Sequence, residues 1–288
     1  MQKIIGVLIA VFLAAGTFIS CDEIEAPYKR QQDNGGSGDG GDDTAQVVQK
    51  VLVEEFTGHK CPNCPSAHHR LENLKDEYGD SLVIVTIHAG FFAEPSSSGD
   101  YTADFRTDVG EVLNSAYDVS NYPSGMINRG RDQEVTILYH ETWNSAIAQQ
   151  MGQEAVATID IDYQYNEDSR SLSADFDIKF LQETEGPVML SAYVTEDKII
   201  SPQKNNNENI GPKPDIPDYE HNHVLRGSFN GTWGETVADE VIADDSQYTF
   251  SYQGFDVKDD WNAANLAIVA FLYQQSDGVI QAEKIIIE

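Results

Sequence analysis

The chain has 288 residues, of which 48 are Asp or Glu and only 18 are Lys or Arg, for a formal net charge of −30. So acidic a surface repels phosphate backbones and no basic cluster interrupts it, which tells against nucleic acid as a partner and against a polybasic membrane patch. With 40% hydrophobic residues there is apolar material for a sizeable core, and the length leaves room for two domains.

Residues 1–20, "MQKIIGVLIAVFLAAGTFIS", place Lys3 ahead of an uncharged apolar run with a small polar end, the layout of a secretory signal peptide. The "FISC" stretch resembles a lipobox, which implies cleavage before Cys21, lipidation of Cys21 and attachment to the outer membrane through a lipid anchor. Asp22, Glu23 and Glu25 resemble the tag that sends some such lipoproteins to the cell exterior, so the expected location is the surface or the periplasmic face. Residues 21–46 are rich in Gly, Asp, Ser and Gln, and read as a flexible acidic tether. Within it "DTA", Asp43 to Ala45, resembles an O-glycosylation acceptor.

The body opens with "VVQKVLVEEF", a β-branched run suited to a buried strand. From Ser66, the apolar residues Ala67, Leu71, Leu74 and Tyr78 recur at helical spacing up to Gly79, and "SLVIVTIH" then reads as a second buried strand. Strand, helix, strand with short joints implies parallel pairing. A helix around "VGEVLNSAYDV", a proline-led strand and turn in "SNYPSGMINRGRDQEVTIL" and a helix in "HETWNSAIAQQMGQ" complete an order β, α, β, α, β, β, α. From Glu154 the period changes to two. "AVATIDIDYQY", "SLSADFDIKF", "PVMLSAYVTE", "SQYTFSYQ", "NLAIVAFLYQ" and "GVIQAEKIII" predict an antiparallel all-β domain, a sandwich.

Between the first strand and helix lies "TGHKCPNCPSAHH", with Cys61 and Cys64 three apart. Three chemistries suit the pair. Placed on a helix, Cys61, Cys64 and His68 fall within an arc of about 60° and converge on a metal ion, but no second C-x-x-C or spaced His pair supplies a fourth ligand, although His59 and His88 are within the cast. An inert disulfide suits an exported protein, yet so short a loop adds little stability. Thiol–disulfide exchange uses the helix start, whose unpaired N–H groups stabilise a thiolate. In that reading Cys61 is the nucleophile, Cys64 resolves the mixed disulfide, and Glu55 near the end of the strand takes a proton through water. No cofactor and no dedicated metal site is expected with it.

"VLVEEFTGHKCPNC" resembles the thioredoxin active-site segment, in which an acid followed by Phe precedes the first cysteine by six positions, as Glu55, Phe56 and Cys61 do. "NYPSG" resembles the segment whose cis-proline faces the dithiol, which assigns Pro123 that place and the backbone of Tyr122 the substrate-docking edge. Lys60 stands where the family has tryptophan, and Pro65 follows the second cysteine. Together with "DYEHNHVLRG" and "AIVAFLYQQSDGVIQAEK", the chain resembles the outer membrane protein 28-related lipoproteins. That resemblance implies an α/β thioredoxin-like domain over 47–152 followed by an all-β antiparallel sandwich over 153–288. The implied partners are protein or peptide thiols and disulfides. The competing reading is a surface adhesin or binding protein that keeps the scaffold without turnover.

Three features of the β region complete the expectations. Residues 201–219, "SPQKNNNENIGPKPDIPDY", are long, polar and hold four prolines, as functional or unstructured loops do. His221 and His223, at i and i+2, point to one face of a strand, where carbonyls satisfy them more often than a metal does. Arg226 is placed to pin the loop through a carboxylate.

Overall fold

Val51–Thr57 (β1) and Leu82–His88 (β2) are buried from end to end, as strands must be when both faces of a sheet are covered. In the computed structural model, which describes residues 47–130 and 136–288, they pair in parallel across the helix Cys64–Tyr78 (α1). Asp108–Ala116 (α2), Ser124–Ile127 (β3), Leu138–Tyr139 (β4) and Trp143–Gln150 (α3) follow, with β3 antiparallel to β1 and β4 antiparallel to β3. The pleat divides β1. Val51 and Val53 pack with Leu71 and Leu74 of α1 and with Trp143 and Ile147 of α3, while Leu52 and Phe56 pack with Leu113 of α2.

The second half contributes Ala157–Asn166 (β5), Ser171–Phe180 (β6), Val188–Glu196 (β7), Ile199–Lys204 (β8), Asp215–His221 (β9), Val224–Ser228 (β10), Glu235–Ala238 (β11), Gln247–Asp256 (β12), Leu266–Gln274 (β13) and Gly278–Ile286 (β14). The strands β5, β6 and β12 form an antiparallel three-stranded sheet, and its Ile159, Phe176 and Ile178 pack on Leu190 of β7 and Ile268 of β13. The opposite face of β7 and β13 turns Tyr193, Val269 and Phe271 toward the α2 side.

The expectation of an α/β thioredoxin-like domain followed by a separate β-sandwich is overturned. Among the described residues fourteen strands stand against three α-helices, and nine strands form one mixed sheet in the order β14-β13-β7-β10-β2-β1-β3-β4, with β11 on β7. The physical reason lies at the outer edge of β2. An unpaired edge on a strand this apolar is open to association, and here β10 takes it, with Val224 opposite Thr86 in parallel and the Thr86 N–H donating to His223 O at 2.7 Å. The described residues accordingly cluster as one unit. Among the described residues no helix is long and apolar enough to cross a membrane. The expected signal peptide, Cys21, the tether and "DTA" lie outside the described residues.

Candidate functional site around the Cys61–Cys64 disulfide

Cys61 and Cys64 are joined by a disulfide at the C-terminal end of β1. The helix begins at Cys64 rather than before it, because Asn63 is its N-cap and Pro65, which has no N–H to lose, fills the first turn. Cys61 therefore sits in the preceding turn, its N–H donating to Gly58 O at 2.9 Å while its carbonyl accepts from Cys64 N at 3.4 Å. The 60° arc that would gather Cys61, Cys64 and His68 on one helix face does not exist. Among the described residues no three His, Cys, Asp or Glu side chains are arranged to hold a metal ion.

Gly58 is required for close approach: a Cβ there would come within 2.3 Å of the Phe92 carbonyl carbon. Lys60 N–H donates to Phe92 O at 3.0 Å, which ties the cysteine turn to the Gly90–Ala93 turn on one side. On the other side lies the β8–β9 hairpin, built from the stretch that reads as a polar loop. The Gln203 side chain donates to Cys61 O at 2.9 Å and to Gly58 O at 3.4 Å, Lys204 N–H to His59 O at 2.8 Å, and Asn206 N–H to Pro62 O at 3.0 Å. Asn206 also meets the Asn63 side chain, and Asn207 Nδ2 donates to Ser66 Oγ at 3.1 Å. Four carbonyls around the dithiol, those of Gly58, His59, Cys61 and Pro62, thus accept from the hairpin. The result is cover: Cys61 is 1% exposed and Cys64 0%.

Glu55 is buried on the α1 side, opposite Thr86 in the strand register. Its Oε1 lies 3.3 Å from His68 Nε2, which is 3.0 Å from Thr57 Oγ1, while His68 Nδ1 is 2.7 Å from the Tyr219 hydroxyl. Burial, reinforced by the charge of Glu72, holds the Glu55 carboxyl well above the usual range, and burial with His223 nearby pushes His68 down to about 4. Burial thus disfavours the charged form of both members of this close pair. The pair lines a cavity of about 220 Å³ with Pro65, Glu72, Tyr219 and His223, which gives water a place beside the helix start.

Around it the fold gathers histidines from separate stretches of the chain. His88 and His221 face each other at 5.5 Å between ring centroids, each 5.1 Å from the Phe105 ring, and His59 lies 5.9 Å from the same ring. Burial depresses all three: His221 to about 3, His88 well below its ordinary value with His221 adding to the effect, and His59 more mildly. His221 and His223 do not share a strand face. His221 ends β9 and contacts Ser201 O at 3.3 Å, whereas His223 has a left-handed backbone (φ 59°) and pairs through Nδ1 with Asp197 at 2.9 Å. Arg226 Nε donates to Glu196 Oε2 at 2.7 Å, within the sheet rather than onto the 201–219 loop.

The Tyr122–Pro123 peptide is cis. Pro123 immediately precedes Ser124, the first residue of β3, which pairs with Phe56 near the C-terminal end of β1. The Tyr122 side chain turns away from it, its hydroxyl donating to Asn114 and its ring 6.0 Å from that of Phe92.

Among solved structures, HBP35 of Porphyromonas gingivalis is similar over 83% of this chain and 76% of its own, with 18% identity and a TM-score of 0.60, a likeness of fold. A crystal structure from Agrobacterium tumefaciens aligns over 84% of this chain and 96% of its own at 16% identity, with a TM-score of 0.49. No curated protein matches the sequence. The sequence pattern of the outer membrane protein Omp28 covers residues 111–288, well over half of the length, and the chain belongs to that family.

Proposed function

We propose that this Omp28-family protein is exported and anchored through a lipid on Cys21, and that its Cys61–Cys64 pair exchanges with thiols and disulfides of proteins or peptides. The observation that carries the reading is the buried Glu55 carboxyl, its pKa raised by burial, lining a cavity of about 220 Å³ beside the helix that bears Cys64. In the oxidised form, a substrate thiolate attacks Cys61 Sγ. The Cys61–Cys64 bond breaks, the electron pair leaves on Cys64 Sγ, and a proton from Glu55 reaches it through water. A second substrate thiolate attacks the substrate sulfur of the mixed disulfide and expels Cys61 as thiolate. The substrate leaves as a disulfide and the protein holds both electrons. Run backward, the same steps make Cys61 the nucleophile and Cys64 the resolving thiol, with Glu55 as proton acceptor. Cover by the β8–β9 hairpin makes displacement of that hairpin the first event in either direction. The cis Pro123 and the backbone of Tyr122 form the edge beside which a substrate strand would lie.

The test is a pair of serine variants in cell envelopes. Cys64→Ser is expected to accumulate mixed disulfides with partner proteins and Cys61→Ser to accumulate none. Equal small losses of stability in both variants, with no trapped partner and no turnover by the wild type, would sink the exchange reading. It would support instead a non-catalytic surface binding protein, which the near-complete burial of both cysteines favours.

A further inference from the structure

On the face of the sheet away from α1, the end of β3 is held in a costly conformation. Asn128 and Arg129 are both left-handed, with φ 50° and 49°, in a region that non-glycine residues seldom occupy. Four contacts enforce it. Asn128 Oδ1 accepts from Leu52 N–H at 2.7 Å, Asn128 N–H donates to Leu52 O at 2.8 Å, Val279 N–H donates to Asn128 O at 2.6 Å, and Gly278 approaches so closely that a Cβ would come within 2.3 Å of that oxygen. What this turn places is the Arg129 guanidinium, only 4% exposed. Its Nε and Nη2 donate to the two oxygens of Glu54 at 2.6 Å each, and Nη2 also reaches the Tyr193 hydroxyl at 3.2 Å. Side-on pairing through Nε and Nη2 turns Nη1 away from Glu54, and Nη1 is buried without a partner.

Arg129 lines a cleft of about 270 Å³ with Ala116, Tyr117, Trp233, Tyr273 and Gln274. Its Cζ lies 4.9 Å from the centre of the Tyr273 ring, and the Trp233 ring, 6.2 Å from that of Tyr117, is 42% exposed. An idle guanidinium nitrogen behind a wall of aromatic rings is the combination that recognises one anionic group on a flat apolar body. We propose that this cleft binds a small free carboxylic acid carrying one aromatic ring, with the carboxylate accepting from Arg129 Nη1 and the ring held by Tyr117 and Trp233. Because Glu54 already balances the guanidinium, a monoanion suits the site better than a phosphate dianion. The volume, just under the ~300–1,000 Å³ usual for small-molecule pockets, suits a single ring with a short arm.

Calorimetric titration of the full chain with phenylacetate and with its neutral analogue phenylacetamide tests this. Phenylacetate is expected to bind saturably, the amide at least about tenfold more weakly, and Trp233→Ala, a change at an exposed side chain, to weaken phenylacetate at least about tenfold with an unchanged melting temperature. No saturable heat up to about 10 mM, equal binding of acid and amide, or equal binding by Trp233→Ala would each overturn the assignment.

Discussion

Glu54 and Glu55 sit side by side in β1, both buried, and the pleat sends them to opposite faces, where their surroundings differ in kind. Glu54 meets a fixed cation in Arg129; Glu55 meets an uncharged imidazole and the distant repulsion of Glu72. Glu54→Gln leaves the guanidinium buried without its counter-charge and is expected to cost about 3–5 kcal/mol. Glu55→Gln replaces a carboxyl whose charged form burial disfavours, so at pH 5 it is expected to cost under about 1 kcal/mol. The sign of its pH dependence follows from the raised pKa. The folded state holds a proton that the unfolded state releases above about 4.5, so wild-type stability declines as pH rises from there to the folded value, and the Gln variant escapes that decline. Urea unfolding of both variants at pH 5 and pH 7 measures this, and equal costs at the two positions would contradict it. The sequence displays Glu55 through its spacing to Cys61. It conceals Glu54, whose meaning depends on Arg129, 75 residues on in an "NRG" turn that carries no periodic signal.

At the level of elements, strands with period two were legible because one face of each is buried and the other is wet: Ile159, Ile161, Phe176 and Ile178 read as an inner face and are one. The β8–β9 hairpin was not legible. Its residues are polar and its prolines interrupt any alternation, since its purpose is to present amide donors to the cysteine turn rather than apolar area to a core. The run Gln203, Asn205, Asn206, Asn207 is the one signal available: Asn205 Nδ2 alone donates to the carbonyls of Asn207, Gly211 and Pro212, stiffening the loop from within. Replacing residues 205–214 with a short Gly/Ser turn removes the Asn206 and Asn207 contacts. It is expected to speed reduction of the disulfide by dithiothreitol at least about tenfold, with a modest drop in melting temperature. An unchanged reduction rate would mean that the hairpin does not gate the sulfurs.

For the whole molecule, pH is the variable to which this arrangement responds most. His59, His68, His88 and His221 are neutral when folded and charge readily when unfolded, so stability is fully present above about 6.5 and is lost as pH falls toward the depressed folded values, about 4 for His68 and about 3 for His221. Glu55 works the other way above about 4.5, but as one group against four. The net expectation is an unfolding midpoint in urea that falls steeply from pH 6.5 to pH 4. His221→Phe should remove about one proton's worth of that slope, roughly 3 kcal/mol between pH 6.5 and pH 4. A flat profile would contradict the burial of these rings as neutral groups. The sequence shows His59 and His68 near the cysteines, His88 as a further candidate ligand and His221 by its spacing to His223, but their meeting depends on β2, β9 and Phe105 coming together in space.

The pairing of β2 with β10 also sets an order of events during synthesis. At roughly 5–20 residues per second, the ribosome completes β2 well before it reaches Val224, so the strand waits on the order of ten seconds for the neighbour that closes its edge. Through that interval Leu82–His88 has β1 to pair with along one edge, while the backbone groups of its other edge stay open. Half-made chains of this protein therefore carry their most association-prone segment in the open, and keeping them apart falls to whatever holds nascent chains until the last third of the sequence arrives.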